Sequence, residues 1–153
     1  MKNILIREAQ MGELERVAEL TREAFKTPYK PGGLVTTAND DPEKLYSEVN
    51  RGVRVLVATE NDSIIGAQRM EKIDGDIHLF RLAVLPSHRG LGVGRGLMEK
   101  AFQIAREENV RKVSIEVAEE KGLIPYYEGF GFKVVERKLV KDHYEVIMEK
   151  VLR

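Results

Sequence analysis

Between Arg81 and Met98 the chain reads RLAVLPSHRGLGVGRGLM, and this passage restricts the fold more than any other. Its opening strand-like run ends at Pro86, which has no N–H to donate and cannot continue a ladder. Glycines follow at 90, 92, 94 and 96, with Arg89 and Arg95 among them. Leu97, Met98, Ala101, Phe102 and Ala105 then recur at helical spacing, which predicts a helix from Gly92 to about Asn109. KVSIEVA, Lys112 to Ala118, returns to strand character. Strand, helix and strand joined in this way form a crossover, and crossovers connect parallel strands.

The residues before this passage predict the opposite pairing. RVLVATE (Arg54 to Glu60), SIIGAQRMEKI (Ser63 to Ile73) and DIHLFRLAVL (Asp76 to Leu85) are separated only by short turn chemistry, so they should form an antiparallel meander. ILIRE (Ile4 to Glu8) reads as an opening strand. Leu14, Val17, Ala18, Thr21 and Phe25 mark one face of a helix, and a shorter helix is expected from Glu43 to Asn50. Between them Thr27 to Pro42 carries three prolines and the pair Gly32-Gly33, the composition of a long loop, and such loops tend to carry function. GLIPYYEGFGF (Gly122 to Phe132) predicts a short helix closed by Gly129 and Gly131, and FKVVERKLV and YEVIMEKVL a closing hairpin.

Composition narrows the chemistry. At 153 residues the chain is expected to form one domain, residues 1–153, with a sizeable core. Its 25 basic and 25 acidic residues cancel, so no whole-molecule field draws it to nucleic acid or anionic lipid. No run is long enough to span a membrane, and MKNILIRE is too polar for a signal peptide, so a cytoplasmic location is the default expectation. There is no cysteine, which removes disulfides, thiolate metal sites and a thiol nucleophile. His78, His88 and His143 form no metal-binding pair by spacing, and no metal is expected.

A glycine loop opening a helix exposes backbone N–H groups at the positive end of the helix dipole, which makes an anion site. A diphosphate suits it. The loop has no lysine followed by Ser or Thr, as a triphosphate loop requires, and the residue three after Gly94 is Leu97, where a dinucleotide fingerprint needs glycine. Both of those guests are set aside.

Arg89-Gly90-Leu91-Gly92-Val93-Gly94, an R-x-x-G-x-G element behind the strand RLAVLP, resembles the diphosphate-binding signature of the GCN5-related N-acetyltransferase (GNAT) family. YYEGFGF, Tyr126 to Phe132, is similar to that family's F-Y-x-x-x-G-F element, and the order of elements agrees along nearly the whole chain. The resemblance implies an α/β (α+β) fold. Its central mixed sheet would have six to seven strands, an antiparallel N-terminal meander, a splayed parallel pair and about four helices on both faces. It also implies an enzyme that moves an acetyl group from acetyl-CoA to a primary amine by direct attack in a ternary complex.

Carried over residue by residue, the resemblance assigns Leu82, Ala83 and Val84 to the pantetheine arm. Arg89, Gly90, Leu91, Gly92, Val93, Gly94 and Arg95 form the diphosphate cradle. Tyr127 takes the role of general acid toward the leaving thiolate, while Tyr126, Phe130 and Phe132 are expected in the core and His88 on the surface. His78 occupies the place of a base, with Glu71 and Glu116 as substitutes, because Phe80 and Arg81 stand where some relatives carry a carboxylate. Glu120 and Leu123 replace the asparagine and alanine of a further family element. The acceptor, a small-molecule amine in preference to a peptide amine, is expected among Pro28 to Asn39 and Lys141 to His143, and homodimers through the C-terminal strands are a family habit. A non-catalytic acyl-CoA binding or sensing module on the same fold is the alternative.

Overall fold

Alternation along the strands settles the pairing. In the computed structural model, which describes residues 3–28 and 40–153, β1 (Ile4–Glu8), β2 (Arg54–Glu60), β3 (Ser63–Ile73) and β4 (Asp76–Val84) lie side by side, all antiparallel. Along β2, Leu56 and Ala58 face one side and Val55 and Val57 the other, so both faces of the sheet need a cover. The helix α1 (Leu14–Phe25) supplies one through Leu14, Val17, Ala18, Leu20 and Ala24, assisted by Leu45 of α2 (Pro42–Asn50). The helix α3 (Val93–Glu107) supplies the other with Leu97, Met98, Ala101, Phe102 and Ala105. Asp41 starts α2 by accepting the Lys44 N–H at 2.8 Å, and Pro42 follows it in the first turn, where a missing N–H costs nothing.

After α3 come β5 (Lys112–Ala118), the short helix α4 (Ile124–Glu128), β6 (Lys133–Val140) and β7 (His143–Val151). The seven-stranded sheet runs β1-β2-β3-β4-β5-β7-β6. The last strand therefore enters between β5 and β6, pairing antiparallel with both. Hairpin formation was readable from the sequence, but which of its strands meets β5 was not, since both alternate.

Two irregularities in β4 shape the molecule. Phe80 pairs with Arg69 and Ala83 with Ala67, so the single residue Gln68 on β3 faces both Arg81 and Leu82. This is a bulge, with Arg81 at φ +55°. Ahead of it Ile77 and Leu79 face α3; beyond it Leu82 and Val84 do. Without the extra residue those last two side chains would turn to the α1 face. The second irregularity is that β4 and β5 pair in parallel only at Ile77 with Val113 and His78 with Ser114, and then separate.

Beside the bulge, Arg69 is 1% exposed and donates to both carboxylate oxygens of Asp40 and, at 3.1 Å, to Glu48. Burial favours the protonated Asp40 carboxyl, but the Arg69 guanidinium and the nearby cations outweigh it and hold the group below the usual carboxylate range. This buried network ties α2 and Asp40 to the sheet.

Candidate active site

The glycine loop at the start of α3 owes its shape to Gly90 and Gly92, at φ +79° and +86°, the left-handed region that other residues avoid. A Cβ added to either would meet nothing within 4 Å among the described residues, so both are there for conformation. Gly92 caps α3 without any side-chain hydrogen bond, and the first-turn N–H groups of a helix have no partner within it. These donors border a cleft of about 500 Å³ that continues between the separating strands, lined by Leu79 to Leu82 and Val84 on β4 and Ile115 to Ala118 on β5. An anionic head at the loop and a flexible arm in the gap fit this donor set.

The individual cradle residues divide by what their side chains do. Leu82 and Val84 line the gap, whereas Ala83 is fully buried on the α1 face and offers only its backbone. Val93 is a core residue and Leu91 is 54% exposed. Arg95 lies over the Phe130 ring at 5.0 Å and 3.8 Å from Glu99, at the rim of the cleft. Arg89 lines the cleft and also ties two elements together. Its guanidinium donates to the carbonyls of Ala24 at 2.8 Å, Thr27 at 3.1 Å, Pro28 at 3.2 Å and Val84 at 3.2 Å. It binds the C-terminal end of α1 to the end of β4 from its place on the cleft wall, beside the loop's amides.

Tyr127 lines the cleft, half-buried, with its ring edge-on to Phe132 at 6.2 Å. Phe130 and Phe132 are in the core as expected, but Tyr126 is not. It is 41% exposed and lines the cleft beside Tyr127, the two rings edge-on at 5.2 Å. His88 also differs from expectation: its Nε2 is 3.1 Å from a Glu60 carboxylate oxygen, and the ring lines the cleft.

Of the base candidates, His78 is not among the cleft-lining residues. It sits at the closed end of the strand gap, with Nδ1 3.0 Å from the Ser114 hydroxyl and its ring stacked on Phe80. Burial pushes its pKa down, only partly opposed by Glu116 and Glu71. Glu71 is held by Arg51 at 3.0 and 3.3 Å, outside the cleft. Glu116 does line the cleft, 3.4 Å from Lys138 Nζ. Glu120 turns away to accept the Tyr144 N–H at 3.1 Å, while Leu123 lines the cleft.

On the α1 side the lining includes Phe25, Arg81, Lys121, His143 and Glu145. The hairpin turn thus contributes His143 as expected, while residues 29–39 of the expected acceptor loop lie outside the described residues. Lys121, at the end of the charged run Glu119-Glu120-Lys121, and Glu145, one polar position in an alternating strand, had no signal in the sequence. Gln68 had one: consecutive polar residues, Gln68 and Arg69, in a strand otherwise buried on both faces.

Residues 25–152 match the family model described as an acetyltransferase (GNAT) domain. A [ribosomal protein bS18]-alanine N-acetyltransferase of Haemophilus influenzae is 27% identical over 140 residues, covering 92% of this chain and 87% of the relative. Among solved structures, the PaiA N-acetyltransferase from Thermoplasma acidophilum in complex with coenzyme A superimposes with a TM-score of 0.83 at 23% identity, over 97% of this chain and 99% of that one. The ribosomal-protein-S18-alanine N-acetyltransferase from Escherichia coli does so with a TM-score of 0.82 at 17% identity, over 98% and 94%. The chain belongs to the GNAT family, and is an acyl-CoA-dependent N-acetyltransferase with acetyl-CoA as its acyl donor.

Proposed function

We propose that the chain transfers the acetyl group directly to a primary amine bound in the same cleft, with Tyr127 and Glu116 handling the protons. One observation carries this reading. Ile115 and Val117 of β5 pack on the α3 side of the sheet, so Glu116 between them faces the α1 side, while Tyr127 packs with the α3-side core. Both nevertheless line the same cleft, which therefore passes through the sheet where β4 and β5 separate.

Acetyl-CoA supplies a thioester acyl group, and the rest of the work falls to this chain's own residues. Backbone amides of the loop from Arg89 to Arg95 hold the diphosphate, and the backbone of β4 from Leu82 to Val84, beyond the last residue pair with β5, holds the pantetheine amides. The amine approaches from the α1 side and must lose a proton. At pH 7 that costs roughly 4 to 5 kcal/mol for a lysine-like amine and about 1 for an α-amine. The Glu116 carboxylate accepts this proton, directly or through water, and Tyr127 donates a hydrogen bond to the departing sulfur. Direct transfer is supported by the absence of cysteine, which leaves no thiol to carry the acyl group. The bS18-alanine and glucosamine 6-phosphate enzymes among the relatives both have amine acceptors, which supports a primary amine here.

Free-thiol release from acetyl-CoA, followed with a panel of primary amines, tests the reading. Acceptor-dependent release is expected, lowered in Glu116→Gln. Tight acetyl-CoA binding without release for any amine would overturn it.

A further inference from the structure

The α1 end of the cleft holds a division of charge of which the transfer reaction uses only Glu116. Lys121 places its ammonium 4.4 Å from the centre of the Phe25 ring, and the Arg81 guanidinium lies 5.8 Å from the same ring. No carboxylate among the described residues comes within ion-pair distance of Lys121. The segment 29–39, YKPGGLVTTAN, contains no Asp or Glu to supply one. Arg81 has a carboxylate oxygen of Asp40 at 3.6 Å, but that carboxylate is already bound by Arg69, and the buried Arg81 Nε has no hydrogen bond among the described residues. Burial lowers the Lys121 pKa, and Arg81 adds to the effect against the opposing pull of Glu145.

Two cations converging on one aromatic ring, short of anions and partly removed from water, are costly unless an anion joins them. The opposite sign lies alongside. Glu145 lines the same space with a buried oxygen, Oε2, that has no hydrogen-bond partner among the described residues, its other oxygen being 3.4 Å from His143. Glu116 is the second carboxylate.

We propose that this end of the cleft is an acceptor subsite for an amine that carries its own anionic group, a carboxylate or a phosphate. Lys121 and Arg81 take the anionic group, and Glu145 and Glu116 face the amine. A polyamine would set a second positive charge against Lys121 and Arg81, so it is the disfavoured class. The proposal rests on the acetyl-transfer reading for its orientation, but a binding measurement separates the two.

Phosphoethanolamine and ethanolamine form one pair differing in the anionic group, and β-alanine and its amide a second, which distinguishes phosphate from carboxylate. Each is titrated calorimetrically into the CoA-saturated chain, with spermidine as the polycation. The anionic member of at least one pair should bind about tenfold or more tighter than its neutral partner, the worth of one charge-assisted hydrogen bond. That ratio should fall to about one in Lys121→Met and survive in Lys121→Arg. Because the ratio is taken within each variant, a general loss of folding or CoA affinity cancels. Equal binding of charged and neutral partners, preference for spermidine, or a ratio untouched by Lys121→Met overturns the subsite. Binding with the expected ratio but no thiol release leaves the subsite standing and removes the transfer reading.

Discussion

The Tyr126 hydroxyl stands 2.8 Å from where a Cβ on Gly94 would be, so the first turn of α3 and the exposed tyrosine of α4 close on each other at the cleft. Gly94 has an ordinary backbone conformation, and its lack of a side chain keeps this contact possible. Gly94→Ala should therefore leave thermal stability equal or slightly raised, since alanine is the better helix residue by roughly 0.5 to 1 kcal/mol. The apparent KM for acetyl-CoA should rise severalfold as Tyr126 is displaced. Adding Tyr126→Phe, which removes the clashing atom, should recover most of that loss. An additive double variant would show that the contact is incidental.

Arg89 joins α1 to β4 through four carbonyls, so its loss should be felt first as stability. Arg89→Ala is expected to cost about 2 kcal/mol in urea unfolding, in the range for charge-assisted hydrogen bonds. Arg89→Lys should recover little, because a single ammonium cannot span the fork of acceptors. Unchanged stability with weaker acetyl-CoA binding would return the guanidinium to the diphosphate.

Tyr127→Phe should lower kcat about tenfold to a hundredfold, the worth of a hydrogen bond to a developing charge, with little change in the KM for acetyl-CoA. Steady-state kinetics on any accepted amine makes the comparison. If kcat holds, Tyr127 belongs with Phe130 and Phe132 as a packing residue.

His78 and Glu116 should separate stability from chemistry. Burial holds the His78 pKa below its unfolded value of about 6.5, against the pull of Glu116 and Glu71. As pH falls through 6.5 the unfolded chain takes up the proton before the folded one, so the native state loses stability toward acid and keeps it above. His143 has the opposite sign. Burial opposes its protonation, but the hydrogen bonds to Glu145 and Asp142 prevail and raise its pKa. The difference between wild type and His78→Gln isolates the first effect: the variant should lose less melting temperature between pH 7.5 and 5, with kcat retained. Glu116→Gln should do the reverse, lowering kcat with the acid sensitivity largely kept.

Much of this architecture is local in origin and could be read in advance. The meander follows from three alternating runs joined by short turns, the parallel pair from a helix between two strands, and the anion-facing loop from glycines ahead of an amphipathic helix. Neighbouring residues determine each of these, because periodicity and turn chemistry act over a few positions. Tertiary structure decided what depends on distant partners. It placed β7 between β5 and β6, since either hairpin strand could have met β5. It placed the extra residue of β4 at Arg81, where the register with β3 shifts and Leu82 and Val84 turn to the α3 face. It took the Arg89 side chain to carbonyls more than sixty positions earlier, because helix ends leave acceptors unsatisfied and a guanidinium has donors to match. It also left His78 at the closed end of the strand gap and set Lys121 beside Phe25, contacts between segments far apart in the chain that no local spacing encodes.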